Sequence, residues 1–282
     1  MDKLFDISHT NAELIYFHAE DMCFLRDQRN ERNMTFGKLD NDHNRKYKRK
    51  MEREEAELQR NKAHMILGET IDNFELKTTN GTYKLYNHMK DSWCAIFSHP
   101  ADFTPVCTTE LARLDEIHDK FTKRNVKIVC TSTDSVETHN DWIKDIKCLS
   151  SNKSSSLSFD IVADTDRIMA IKLGMLDPVE KDKSGIPLTC RAVLIIGPDK
   201  KLKLSILYPA TTGRNFDEIL RVIDSVQLTA NKKLTTPADW NNGDDCIIHP
   251  NVTDEDAKNM YPNYKLKKLP SNKKYIRYAN ID

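Results

Sequence analysis

The sequence predicts an α/β fold, a mixed sheet flanked by helices, and two observations carry that prediction. From Met65 onward, short apolar runs rich in β-branched residues alternate with stretches of helical periodicity. Two of those runs, within 190–208, are separated by the turn formers Gly197, Pro198 and Asp199, so they read as a β-hairpin that adds an antiparallel pair to the sheet.

Taken in order, the strand candidates are FELKT (74–78), WCAIFS (93–98), VKIVCTS (126–132), FDIVAD (159–164), CRAVLIIG (190–197) and LKLSILY (202–208). Helices fill the intervals at 105–124, 135–147, 166–173 and 215–229, the last following the turn residues TTGRN. The first of these has clear start signals. Thr104 suits the N-cap, and Pro105 falls at the first helical position, where its missing N–H costs nothing. Leu111, Leu114, Ile117 and Phe121 then recur at helical spacing, a stripe for packing on the sheet.

The chain divides by composition into three parts. Residues 1–63 form an N-terminal extension with a long charged segment, NRKYKRKMEREEAELQRNK. That extension is expected to be partly helical and solvent-exposed and otherwise disordered. Residues 64–230 hold the α/β pattern. Residues 231–282 form a smaller module, rich in proline and polar residues, with strand-like CIIHP and KKYIRYA, too poor in apolar residues to make a core alone.

In the 282 residues, 43 basic and 43 acidic side chains cancel, so no global field recruits nucleic acid or an anionic membrane. No apolar run approaches the roughly 20 residues that span a bilayer, and the first residues lack the pattern of a secretory or transit signal. The seven cysteines are odd in number and contain no C-x-x-C pair, which argues against a disulfide framework or a zinc site. The expected compartment is the cytoplasm, where a cysteine is either inert packing or a working thiol.

Cys107 lies in the first turn of the 105–124 helix. The N–H groups and partial positive charge of a helix start favour a thiolate, the nucleophilic form. Most cytosolic cysteines are nonetheless small buried hydrophobes, so the residues alone leave both readings open for Cys107. Cys94 and Cys130 sit inside apolar strand runs and read as packing.

Pro100, Thr104 and Cys107 match the P-x-x-x-T-x-x-C signature of the peroxiredoxins. SHPADFTPVCTTEL, GMLDP, CRAVLIIGPDKKLKLSILYPATTGRNFDEILRV and LPSNKKYIRY resemble the 1-Cys, peroxiredoxin-6-like branch from about Met65 to the end. The resemblance implies a thioredoxin-like fold with a C-terminal dimerisation module, and a peroxidase that reduces hydrogen peroxide and alkyl or lipid hydroperoxides. It makes Cys107 the peroxidatic thiolate, oxidised to a sulfenic acid. Thr104 would hydrogen-bond the sulfur, Arg191 would favour the thiolate, and Pro100 would shield the pocket. His99 would stand beside it, and Glu110 and Arg214 would hold Arg191 and Thr104. Arg191 read alone is as readily a surface cation, and Glu110, placed in the first helical turn, as readily a carboxylate serving the dipole.

Two-cysteine members of that family carry a V-C-P motif near the C-terminus, which is missing here. The resemblance therefore implies an external thiol reductant, glutathione or a thioredoxin-type protein, with no cofactor and no metal, and Cys190 and Cys246 as minor candidates for resolution. It also implies a homodimer. Two other classes stay open. A phospholipase-type hydrolase would use Ser92 in KDSWC with Asp199, but both glycines of G-x-S-x-G are absent and the family's histidine position is Tyr86, with His88 two residues on. A non-catalytic holdase or redox-signalling protein is the other.

Overall fold

The computed structural model describes residues 65–280. The expectations for residues 1–63, and Cys23 with them, lie outside the described residues.

Seven strands form one mixed sheet in the order β2-β1-β5-β4-β3-β8-β9. They are β1 (Glu75–Thr78), β2 (Gly81–Lys84), β3 (Trp93–Ser98), β4 (Val126–Ser132), β5 (Asp160–Ala163), β8 (Arg191–Ile196) and β9 (Leu202–Tyr208). β3, β4 and β5 run parallel, whereas β8 pairs antiparallel with β3 and then with β9, as the hairpin signal required. The helices are α1 (Leu85–Met89), α2 (Pro105–Glu116), α3 (His118–Thr122), α4 (Val136–Leu149), α5 (Ile168–Lys172), α6 (Phe216–Asn231) and α7 (Asp254–Met260).

β3 shows why the sheet is covered on both sides: all six of its residues are buried. Trp93, Ala95 and Phe97 point into one core with Leu111 of α2, Trp142 of α4 and Ile219 of α6. Cys94 and Ile96 point into the other, with Leu85 and Met89 of α1 and Met169 of α5.

Some elements depart from the sequence reading. The 105–124 helix breaks at Ile117, whose φ of −106° and ψ of 11° leave the helical range, so α2 and α3 are separate. β2, α1 and the hairpin of β6 (Leu176–Lys181) and β7 (Pro187–Thr189) were not anticipated, because their runs are short and carry little apolar patterning. Beyond α6, β10 (Leu234–Thr235), β11 (Cys246–Ile248), β12 (Lys265–Leu266) and β13 (Arg277–Ala279) make a second sheet, ordered β10-β11-β13-β12. Contrary to expectation, it encloses a small core of its own: Leu234, Trp240, Cys246, Ile248, Val252, Ala257 and Ala279, closed by Leu228 of α6. Buried Arg277 clips its last strand to the turn before α7 through the carbonyls of Val252 (2.7 Å) and His249 (3.2 Å).

Candidate active site

The parallel ladder of β3 and β4 continues one step beyond β3, where the His99 N–H donates to the Thr131 carbonyl (3.0 Å). The chain then turns through 99–104 into α2. Phe103 in that turn has a φ of 53°, the left-handed region that a bulky residue enters only when its surroundings enforce it. Thr104 stands at the N-cap and Pro105 at the first helical position, as expected, which makes Cys107 the third helical residue. Its side chain is completely buried.

Arg191, the first residue of β8, is brought over the start of α2. Its Nη1 lies 3.2 Å from Cys107 Sγ and donates to Glu110 Oε2 at 3.0 Å. Its Nε and Nη2 both donate to the Ala210 carbonyl, at 2.9 and 2.5 Å. Glu110 also accepts from Arg214: the backbone N–H at 2.7 Å, Nε at 3.1 Å and Nη2 at 2.7 Å. The remaining Arg214 nitrogen, Nη1, donates to the carbonyls of Ser98 (2.9 Å) and Ala192 (3.0 Å), which ties the ends of β3 and β8 together. Ser98 reinforces that junction, donating to the Cys190 carbonyl (2.6 Å) and accepting from the Ala192 N–H (2.9 Å).

All three charged residues are buried. Two guanidiniums face one carboxylate, so the cluster holds one positive charge in excess, directed at the sulfur of Cys107. The other thiols of the sheet have no such cation in contact: burial pushes Cys94 up to about 12 and raises Cys130 and Cys190.

The sequence-derived residues therefore divide. Cys107, Arg191, Glu110 and Arg214 converge as expected, and Pro100 is buried at the head of the turn. Glu110, however, is the sixth helical residue rather than a member of the first turn, and it binds two arginines instead of serving the dipole. The Thr104 hydroxyl donates to the Ala101 carbonyl (2.9 Å), not to the sulfur, and it makes no cap bond. His99 is fully buried and bonds to Asp102 Oδ1 through Nε2 (2.8 Å). Cys246 lies in the core of the second sheet, and burial raises its thiol.

The Ser92 constellation does not assemble. Ser92 donates to Asn125 Oδ1 (2.8 Å), Asp199 accepts from Lys203 Nζ (2.6 Å), and the Tyr86 hydroxyl goes to the Ile71 carbonyl. His88 stacks on Tyr83, its ring centroid 5.3 Å away.

Sequence reasoning missed Ser98, the Ala210 carbonyl, and the side chains of Asp102, His139 and Trp142. A backbone acceptor leaves no residue-type signal, and the three side chains become neighbours only when α4 docks beside α2.

A mixed sheet in this order, with a buried cysteine in the first turn of a helix and an arginine on its sulfur, defines the thiol-dependent oxidoreductases of thioredoxin-like fold. Residues 67–205 match the model of the AhpC/TSA family, and residues 225–263 match that of the C-terminal domain of 1-Cys peroxiredoxin. The chain belongs to the peroxiredoxins, in their 1-Cys branch, and is a peroxidase.

Over 217 residues it is 56% identical to peroxiredoxin-6 of Gallus gallus and 53% identical to that of Homo sapiens, in each case covering 76% of this chain and 97% of the relative. Among solved structures, a cysteine-to-serine mutant of peroxiredoxin 6 of Arenicola marina is 55% identical, with a TM-score of 0.75, covering 77% of this chain and 98% of that one. A yeast mitochondrial 1-Cys peroxiredoxin, described as resolving its thiol via glutathione/thioredoxin systems, is 37% identical, with a TM-score of 0.68, covering 77% and 100%.

Proposed function

We propose that Cys107 is the peroxidatic thiolate of an enzyme that reduces hydrogen peroxide and alkyl or lipid hydroperoxides, using an external thiol to complete each cycle. The observation that carries this is the Arg191 Nη1 to Cys107 Sγ contact of 3.2 Å, inside a buried cluster with one surplus positive charge. The thiolate attacks the terminal peroxide oxygen, an S–O bond forms as the O–O bond breaks, and the alkoxide or hydroxide leaves and takes up a proton. Arg191 stabilises charge on the sulfur and on the departing oxygen, and Glu110 and Arg214 hold Arg191 in place. The third helical position puts free backbone N–H groups beside the sulfur for peroxide oxygens.

Resolution of the sulfenic acid falls to glutathione or a thioredoxin-type protein. In support, Cys190 and Cys246 are buried and their thiols are raised, and the yeast relative is described with those two systems. A reducing, cytoplasmic setting fits that chemistry, and no helix among the described residues is long and apolar enough to cross a membrane. Residues 64–230 act as the peroxidase domain and 231–282 as a dimerisation module in a homodimer. The edge strand β9, whose outer side has no strand partner among the described residues and bonds only at Leu202 to residues 68–69, supports association with a second copy, with Leu207 58% exposed.

Peroxide consumption with glutathione or thioredoxin as reductant tests this reading. Cys107→Ser is expected to lose turnover at least a thousandfold, whereas full activity in that variant overturns the assignment. Lipid hydrolysis that disappears in Ser92→Ala would restore the hydrolase reading, and suppressed client aggregation with no peroxidase activity would favour the holdase.

A further inference from the structure

Three buried side chains form a hydrogen-bonded chain apart from the Cys107, Arg191, Glu110 and Arg214 cluster. Asp102 faces His99 Nε2 with Oδ1 (2.8 Å) and His139 Nδ1 with Oδ2 (2.6 Å). Both histidines are 0% exposed and Asp102 is 7% exposed. The carboxylate is itself placed by its backbone, whose N–H donates to Asp134 Oδ2 (2.9 Å). On the far side, His139 Nε2 faces the Val162 carbonyl at 3.3 Å, so α4 is tied through this chain to β5.

One atom breaks the pattern. His99 Nδ1 is buried with no hydrogen-bond partner, in a protein interior where nearly every polar atom has one. A carboxylate only accepts, so Nε2 must bring its hydrogen to Asp102. In a neutral ring Nδ1 then keeps a bare lone pair, whose lack of a donor is costly. Burial holds His99 below the ordinary histidine range, against the hydrogen bond and charge of Asp102 and the charge of Asp134, which raise it, while His139 lowers it further. Asp102, Asp134 and His139 are the charged or titratable groups that act on the ring, and held below its ordinary value it is neutral at pH 7.

The ring also sits within the frame of the cysteine site. Its centroid is 5.1 Å from that of Trp142, whose indole N–H donates to Thr108, the residue after Cys107 (3.1 Å). The His99 carbonyl accepts from Thr189 Oγ1 (2.6 Å), two residues before Arg191.

We propose that Asp102 and His139 are positioning residues that lock His99 in the Nε2–H tautomer, so that its bare Nδ1 accepts a hydrogen bond from the O–H of a hydroperoxide entering the Cys107 pocket. This rests on the reading of that pocket as the peroxide site. The arrangement follows the logic by which a buried carboxylate selects the tautomer of a catalytic imidazole. His139 matters because it occupies the second carboxylate oxygen and stops Asp102 from rotating away. The spacing of the three side chains also suits a metal ion, but both carboxylate oxygens already lie at hydrogen-bond distance from ring nitrogens.

The test is nitrogen NMR of the histidine rings in the full-length protein labelled with 15N-histidine, together with peroxide kinetics. In the wild type at pH 7, His99 is expected as the neutral Nε2–H tautomer with an unprotonated Nδ1. Asp102→Asn, whose amide faces Nε2 with either a donor or an acceptor, is expected to mix the tautomers and lower kcat/KM for hydrogen peroxide about tenfold. His139→Gln should do the same to a smaller extent, and it serves if Asp102→Asn does not fold. An Nδ1–H tautomer or an imidazolium in the wild type overturns the proposal. So do mixed tautomers with unchanged kinetics, and so does a stoichiometric divalent metal in the native protein that Asp102→Asn releases. The ring spectrum is independent of turnover. A Cys107→Ser variant that keeps its activity thus refutes the cysteine assignment without touching the tautomer.

Discussion

Glu110 satisfies two guanidiniums with one carboxylate, accepting from Arg191 and from three nitrogens of Arg214 while 4% exposed. Glu110→Gln keeps the shape but removes the only negative charge of the cluster, and its amide hydrogens face N–H donors. Breaking a buried ion pair from one side costs about 3–5 kcal/mol, because the partner's charge stays buried. Denaturant unfolding of the variant should show a loss in that range, with peroxidase activity falling as Arg191 loses its anchor. A loss below about 1 kcal/mol would mean that the arginines find other partners. The sequence carried the identities of these residues through the matched motif, and helix-start signals placed Cys107. It gave no sign that Thr104 would turn its hydroxyl to Ala101, since a threonine at an N-cap has several nearby acceptors and only the folded turn selects one.

At the scale of elements, the strands buried on both faces were the most legible. WCAIFS and VKIVCTS coincide with β3 and β4 residue for residue, because continuous apolar runs between turn signals have few other uses. The β6–β7 hairpin escaped notice because its strands are short and only partly buried, with Val179 83% exposed, so no periodicity marks it. The five-residue α1 was hidden by its length. It ends at Lys90, whose φ of 48° and ψ of −123° belong to glycine's territory, at a position where the family's G-x-S-x-G-like stretch has a glycine. Lys90→Gly should therefore stabilise the protein by about 1 kcal/mol, the relieved strain outweighing the extra freedom of the unfolded chain. The contact that Lys200 Nζ makes with the Lys90 carbonyl is to backbone and survives the change. A lower unfolding midpoint for Lys90→Gly would show that the side chain, not the turn, matters there.

At the scale of the described molecule, the central strands β3, β4 and β8 are covered on both faces, and titratable groups are enclosed beside them. Burial is the largest cause in each of three histidines held below their ordinary value: His99, His88 and His118. In the unfolded chain the same residues titrate near 6.5. As pH falls below about 6.5, the unfolded chain takes up protons that the folded protein refuses, so the unfolded state binds more protons and folding loses free energy with each step down. Asp102 behaves differently. Burial raises its carboxyl, but the hydrogen bonds from His139 and His99 outweigh that and hold it below the ordinary carboxylate range. Its stabilisation is present above about 3.9 and is lost only as pH falls through the lower folded value, so it is intact throughout the histidine window. His99 is fully buried, whereas His118 is partly open to solvent, so His99 dominates the effect. The urea midpoint of the full-length protein should therefore be level from pH 8 to about 7 and fall steadily between about 6.5 and 5. A midpoint that stays level to pH 5, or rises on acidification, would show that the folded protein does not hold these histidines below their unfolded value, and the support for a neutral His99 with a bare Nδ1 would be lost.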